Sequence, residues 1–299
     1  MNLPWDEIRL FLAIAESGSL SGAAKRLRVG QPTVSRRLAQ LEHDLGAALF
    51  LRQATGVVPT AAAERLLEPA RKMAEFAGEI ERAASQGEAA PSGLVRIAAA
   101  PGVAFDLVAP FAGWLRERHP ELRLELLSSI EYLDLARGEA HLALRWRAPP
   151  PGDLTVVASL GHRNAVFVSP AYAATLPKRP KLADLRWIAW APPYGSVPPN
   201  PQLAALIPGF QPVFTADNFL VQLRAAEAGV GAMILGDLRH RFSRRDLVPL
   251  DVDLGAYGRS DLFLVCAKSA LGISRVRKVA ELLARELERA GKGYGRKDA

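Results

Sequence analysis

Cysteine is nearly absent: Cys266 stands alone in a chain of 299 residues. A single thiol excludes an intramolecular disulfide framework and any four-cysteine zinc site. The five histidines, at positions 43, 119, 141, 162 and 240, show none of the spacings that gather metal ligands. Each reads as a surface or capping residue. No apolar run approaches the roughly 18 residues that suggest a membrane span, and no charged-then-apolar leader opens the chain. A cytoplasmic location with no membrane partner is therefore expected. Gly-x-Ser-x-Gly, His-Glu-x-x-His and P-loop patterns are missing too. Gly229-Val230-Gly231 only begins a dinucleotide fingerprint, because Ile234 stands where the last glycine belongs. It reads better as a tight turn into a strand. No enzyme, cofactor or metal site is expected.

What is present points elsewhere. Hydrophobic residues make up 49% of the chain and charged ones 23%, the balance of a globular protein long enough for two or three domains. The net charge of +7 favours an acidic partner such as nucleic acid. Part of that excess lies in the tail, at Lys292, Arg296 and Lys297.

Residues 19–42, SLSGAAKRLRVGQPTVSRRLAQLE, carry the strongest local signal. Leu20, Ala23, Ala24 and Leu27 recur at three and four, giving a short helix a narrow apolar face whose alanines let another helix cross closely. Ser19 suits its N-cap. Gly30 tolerates the left-handed backbone that a tight interhelix turn often needs. Pro32 sits in the first turn of a second helix, where a missing N–H costs nothing. Val34, Leu38, Leu41 and Leu45 then point inward. Gln31, Thr33, Ser35, Arg36 and Arg37 are left on or near the outer side of the N-terminal end, which reads base edges in helix-turn-helix proteins. Arginine pairs with guanine O6 and N7, and glutamine with adenine N6 and N7. From Lys25 to Arg52, six basic residues face two acidic ones, the sign that phosphate contacts require. Taken alone, this spacing also suits an ordinary helical domain with a solvated basic face.

The wider span decides between them. Trp5 to Arg52 resembles the N-terminal domain of LysR-type transcriptional regulators through Phe11, Gly18-Ser19-Leu20, Ala23-Ala24, Leu27, Gln31-Pro32-Thr33-Val34-Ser35, Leu41-Glu42, Leu45-Gly46, Leu49-Phe50 and Arg52. Gly30 departs from the family's usual Ser or Thr. The resemblance implies a winged helix-turn-helix that binds double-stranded DNA through Ser19, Gln31, Pro32, Thr33, Ser35, Arg36 and Arg37. Arg52, at the start of the wing, would reach a flanking phosphate or the minor groove, and Val57, Val58, Pro59 and Thr60 would close the wing.

From Thr60 to about Glu88 the chain reads as one long helix, with Thr60 as N-cap and Glu64 in an acidic first turn. Leu66, Ala70, Met73, Ala77 and Ile80 form an apolar stripe suited to a partner helix. Pro69 predicts a kink or a restart. In the resembling family this linker helix pairs with its symmetry mate, so a homodimer or homotetramer is implied, with RNA polymerase a further partner. Ser85–Gly93, SQGEAAPSG, reads as a hinge.

Beyond it, strands are expected at Leu94–Ala99, Leu122–Leu127, Leu142–Arg145, Thr155–Ser159, Ala165–Val168, Trp187–Trp190, Gly231–Leu235 and Leu262–Ala267. A helix is expected at Leu107–Glu117. This alternation predicts an α/β domain with largely parallel sheets. Gly93-Leu94-Val95-Arg96-Ile97, Arg137-Gly138-Glu139-Ala140-His141-Leu142-Ala143 and Ala228-Gly229-Val230-Gly231 resemble the effector domain of the same family, with His141 in place of the usual Asp and Gly236 where Pro is common. That domain has two subdomains like those of periplasmic solute-binding proteins, with a small ligand between them.

The expected organisation is a multi-domain α/β protein. Residues 1–60 form the winged helix-turn-helix, 61–90 the linker helix and hinge, and 91–299 the effector domain. Subdomain I takes about 91–162 and 267–291, and subdomain II about 163–266. Strand ends meeting helix starts nominate Ala100, Pro101, Gly102, Ser128, Ser129, Arg145, Trp146, Trp190, Tyr194, Asn218 and Phe219 for a small-molecule effector. Ala99-Ala100-Pro101-Gly102 offers no side-chain hydroxyl where the family often has one, which points to an apolar pocket. The aromatics would supply flat contacts, and Arg145 would meet a carboxylate. Two other readings stay open: a solute receptor, disfavoured by the N-terminal module, and an architectural DNA binder without an effector.

Overall fold

Helix α1, Trp5–Ser17, opens with Asp6 and Glu7 in its first turn and stops at Gly18, whose left-handed backbone returns its N–H to the Ile14 carbonyl. Ser19 then starts α2, Leu20–Leu27, by accepting from the Gly22 N–H at 3.1 Å. Helix α3, Gln31–Leu45, follows, with Pro32 in its first turn. The expected left-handed Gly30 is corrected here. Gly30 is extended (φ −72°) because it is the N-cap of α3, and the left-handed residue is Arg28 (φ 57°), which ends α2. Leu10, Phe11, Ile14, Ala23, Ala24, Val34, Leu38 and Leu41 close the core of the three helices.

The wing is an antiparallel pair, β1 (Phe50–Gln53) and β2 (Gly56–Pro59). Its entry hangs on one carboxylate: Glu42 Oε1 accepts from the Leu49 and Phe50 N–H groups at 2.6 and 3.1 Å. Its far strand is tied to the α1–α2 turn, where Val57 N–H reaches the Gly18 carbonyl at 2.8 Å. Gly56 has φ +142°, and a Cβ there would stand 2.3 Å from the Gly18 oxygen, so only glycine fits. Replacing Glu42 by Ala strands two amides and is expected to cost about 1–3 kcal/mol. Urea unfolding with an unchanged m value is the measurement, and an unchanged midpoint would reject the anchor. Thr60 caps α4, Ala61–Ala84, through the Ala63 N–H. The helix runs through Pro69 without restarting.

The computed structural model describes residues 3–53, 56–84, 91–238, 240–242 and 246–294. Residues 85–90 of the expected hinge, and Arg296 and Lys297 of the basic tail, lie outside the described residues. The elements so far belong to one unit, Met1–Ala89, and the rest to a second, Ala90–Ala299.

The second unit runs β3 (Gly93–Ala99), a short turn of helix α5 (Pro101–Val103), a wider π-helical turn at Ala104–Val108, α6 (Ala109–Arg118), β4 (Leu122–Ser128), β5 (Leu142–Arg145) and β6 (Leu154–Val168). It continues through α7 (Pro170–Ala173), β7 (Ile188–Trp190), α8 (Asn200–Leu206), β8 (Phe214–Ala216), α9 (Phe219–Glu227), β9 (Met233–Gly236), β10 (Val248–Leu250), β11 (Arg259–Ala267) and α10 (Ser274–Tyr294). The main sheet is ordered β10-β6-β11-β5-β3-β4, with β9 also on β6. It is mixed, not largely parallel. β3 runs parallel to β4 and β5, and β7 to β8, whereas β5–β11, β11–β6, β6–β9 and β6–β10 are antiparallel.

The cause is β6, one 15-residue strand where two short ones were expected. Gly161-His162-Arg163 looks like a loop in sequence, but it pairs with Asp261, Ser260 and Arg259 and so continues the ladder. Strand β6 also joins three core clusters. One packs Ile97, Leu142, Leu144 and Leu264 against Phe111, Leu115 and Leu283. Past Asn164, successive residues alternate faces. Val166 and Val168 join Tyr172, Trp187 and Leu203, while Ala165 and Phe167 join Ile188, Leu223 and Met233. Cys266 lies in the first core, where burial pushes its thiol up to about 12, so it stays protonated at neutral pH.

Three histidines correct the surface reading. His141, His162 and His240 are buried. His141 Nδ1 accepts the Arg96 N–H at 2.8 Å, standing in for a missing ladder partner. His240 Nε2 lies 3.6 Å from the Asp106 carboxylate. Among the described residues no cluster of His, Cys, Asp and Glu could hold a metal ion, and no helix is long and apolar enough to cross a membrane.

Candidate nucleic-acid interface and ligand cleft

Gln31, Pro32 and Arg36 are exposed at the N-terminal end of α3, with Thr33 and Ser35 half-buried beside them, because Val34 and Leu38 turn the opposite side into the core. Arg52 on β1 reaches across to the same surface, its Nη2 donating to Ser35 Oγ at 3.1 Å. Helix and wing therefore share one basic, hydroxyl-bearing face.

Two nominated residues are drawn away from it. Arg37 donates from Nε and Nη2 to Glu7 Oε1 at 3.1 and 2.8 Å, and from Nη2 to the Asp6 carbonyl at 3.0 Å. It clamps α3 to α1 and its guanidinium is engaged before any DNA arrives. The Ser19 hydroxyl is engaged as the α2 cap. Nothing in the sequence signalled the Arg37–Glu7 pair, which joins residues 30 apart. Glu42 was visible only as part of a resembling motif.

The second unit holds a cleft of about 400 Å³. Of the nominated effector residues, it brings together Pro101, Ser128, Ser129, Trp190, Tyr194, Asn218 and Phe219. Trp190 and Tyr194 stand edge to face with centroids 5.9 Å apart. Phe105, Leu126, Ala109 and Leu220 complete much of the wall and were not nominated, and Asp217 lines it beside Asn218. Phe105 and Ala109 face the cleft from helical turns beyond the strand end, where a rule built on strand ends does not reach.

Four nominations are corrected. Ala100 and Gly102 do not line the cleft: Ala100 is the residue before α5, and Gly102 sits against the Phe219 ring, which a Cβ would approach to 3.1 Å. Arg145 is buried, donates from Nη2 to the Leu133 carbonyl, and lies with its guanidinium 5.0 Å from the Tyr132 ring centre. Burial lowers its pKa, partly offset by Tyr132 and Asp134. Trp146 lies outside the cleft with its ring 5.3 Å from His162.

Burial also lowers the pKa of His162, against the raising influences of the Leu160 backbone, Asp261, Asn164 and Asp237. The folded chain thus binds this proton less readily than the unfolded chain. Stability from this site is present above the ordinary histidine value of about 6.5 and falls as pH drops below it toward the lower folded value. Thermal melts across that window are expected to show a loss that His162→Gln reduces; an identical slope in the variant would remove His162 as the cause.

Comparisons with known proteins agree with this geometry. The family model "Bacterial regulatory helix-turn-helix protein, lysR family" matches residues 5–64, and "LysR substrate binding domain" matches residues 88–288. The chain is 31% identical to the Mau operon transcriptional activator of Paracoccus denitrificans, across 78% of this chain and 79% of that protein. It is 35% identical to an HTH-type transcriptional regulator of Xanthomonas campestris pv. campestris, across 54% of this chain but only 47% of that relative. In fold it is similar to CrgA, a LysR-type transcriptional regulator from Neisseria meningitidis (TM-score 0.54, 24% identity, 97% of this chain and 100% of that one). It is likewise similar to full-length CbnR complexed with its target DNA (TM-score 0.59, 21% identity, 96% and 100%).

Proposed function

Because the chain belongs to the LysR family of bacterial helix-turn-helix regulators, we propose that it binds promoter DNA through the exposed end of α3 and the wing. In this reading a small molecule held in the cleft tunes that binding. Gln31, Pro32, Thr33, Ser35 and Arg36 meet the major groove, and Arg52 meets a flanking phosphate or the minor groove. The observation that carries this is the Arg52–Ser35 bond, which sets the wing arginine beside the helix end that reads bases. Arg37 supports the surface from behind. We read residues 1–60, 61–90 and 91–299 as DNA-binding, linker and effector regions. The chain acts as a cytoplasmic regulator and not as an enzyme, in keeping with relatives named for transcriptional control.

Two copies are proposed to pair through α4. Ala63 and Ala70 are buried in the helix's own unit, and Leu66 packs there too. Met73, Phe76 and Ile80, spaced three and four apart, remain 43%, 50% and 71% exposed. The apolar stripe therefore divides: its first turns serve the N-terminal core, and its later turns offer a face to a second copy. Phe76 belongs to that face although the sequence stripe passed through Ala77. Two recognition helices then address two half-sites.

Selection of genomic fragments by the purified full-length chain tests the reading. Enrichment of a pseudo-palindromic site is the expected result. Equal, salt-labile recovery of all fragments would reduce the protein to a non-specific DNA binder. A metabolite that shifts affinity for the enriched site separates an effector-responsive regulator from an architectural one, since it must bind two conformational states unequally.

A further inference from the structure

We propose that the cleft takes a small aromatic amine, a flat ring on a short chain ending in a protonated nitrogen, and discriminates against the matching carboxylate. This rests on the reading of the cleft as the effector site. Among the described residues the lining side chains include no Arg, Lys or His, and the one formal charge is the Asp217 carboxylate. Arg145, the cation nominated for a carboxylate, faces the Leu133 carbonyl and the Tyr132 ring instead.

Several backbone donors beside the cleft are already engaged. Helix α9 points its N-terminus at the cleft, the usual place for a negative group. There Asn218 Oδ1 already accepts from Leu220 and Val221 N–H at 2.9 and 3.4 Å, and Gln222 N–H returns to the Asn218 carbonyl. On the opposite wall Pro101 brings no N–H, and Ala104 N–H is held by the Ala100 carbonyl at 2.8 Å. The Phe219 ring lies over Gly102 between the two.

What remains is suited to a cation with an aromatic body. Trp190 has its indole N–H committed to the Pro198 carbonyl at 3.1 Å, so it presents its ring rather than a donor. With Tyr194, Phe105 and Phe219 it gives aromatic surface to both a flat ring and an adjacent ammonium. Asp217 supplies the counter-charge that a partly desolvated ammonium needs. The volume of about 400 Å³ lies near the lower end of small-ligand sites, enough for two fused rings and a short tail.

Three probes of one shape test this: tryptamine, neutral tryptophol and indole-3-propionate, titrated calorimetrically into the full-length chain. Tryptamine is expected to bind at least about tenfold more tightly than indole-3-propionate, a gap of about 1.4 kcal/mol. Asp217→Asn is expected to bring tryptamine down to the tryptophol level, and Asp217→Lys to reverse the order of amine and acid. Thermal melting checks that both variants fold. Indole-3-propionate binding as tightly as tryptamine, or an amine advantage that survives Asp217→Asn, would overturn the proposal. So would the failure of all three probes to bind. Ala109→Trp, which fills the cleft from an exposed helical position, separates the two levels of inference. Loss of binding in that variant upholds the cleft whatever the ligand's charge; unchanged binding rejects the cleft itself.

Discussion

Replacing both Phe76 and Ile80 by Glu is expected to convert the protein to a monomer in solution. Affinity for a full operator should fall by about a hundredfold to ten-thousandfold, while affinity for an isolated half-site barely changes. The size comes from bivalency: a tethered second recognition helix binds at an effective concentration that a monomer lacks. The direction comes from α4. Its early turns are used up by Ala63 and Ala70, but Met73, Phe76 and Ile80 project from the same helix into solvent. Burying one such side chain contributes about 1.5–3 kcal/mol, and a carboxylate in its place opposes burial outright. Because both positions are half or more exposed, the fold of the unit should survive, and an unchanged melting temperature checks this. Sedimentation together with titration of full and half sites reads the result. A dimer that persists with full affinity would move the interface away from α4.

Arg36→Ala is expected to weaken the preferred site by about 1–3 kcal/mol, tenfold or more in affinity, with little effect on random DNA. Arg52→Ala should weaken both alike and lower the salt dependence by about one counterion. Arg37→Ala provides the contrast. Its guanidinium is bound to Glu7 and the Asp6 carbonyl, so its loss should appear first as reduced stability of the N-terminal unit. Fluorescence anisotropy on specific and scrambled duplexes, with melts of each variant, separates the three. If Arg36→Ala left discrimination intact, the base-reading role would pass to Gln31 and its neighbours.

The sequence was most readable where one helix period governed the chain. Val34, Leu38 and Leu41 are buried as their spacing predicted, and Ser19 and Thr60 cap the helices they were expected to cap. It was least readable where a residue's role depends on a distant partner. Arg37 looks like Arg36 until Glu7 is brought beside it. Gly30 looks like the turn's pivot, but the left-handed step falls at Arg28, two residues earlier. Gly161-His162-Arg163 has a loop's composition and becomes a strand because Arg259–Asp261 pair with it. Strands β8 and β10 are three residues long, too short to carry any alternation. Strand ends meeting helix starts nominated segments that the cleft gathers only in part, since Pro101, Ser128, Trp190 and Asn218 line it and Trp146 does not. They could not show that Arg145 would turn toward the Leu133 carbonyl and away from the cleft.

The attachment of the wing has a consequence for redesign. Glu42 holds the amides of Leu49 and Phe50, and Arg52 leans on Ser35, so α3 and the wing hairpin are coupled like the two jaws of a caliper set to one gauge. Grafting new base-contacting residues onto α3 while keeping a foreign hairpin would mis-set that gauge. A portable specificity cassette is the whole stretch from Gln31 to Pro59, the hairpin included, with Glu42 as its rivet.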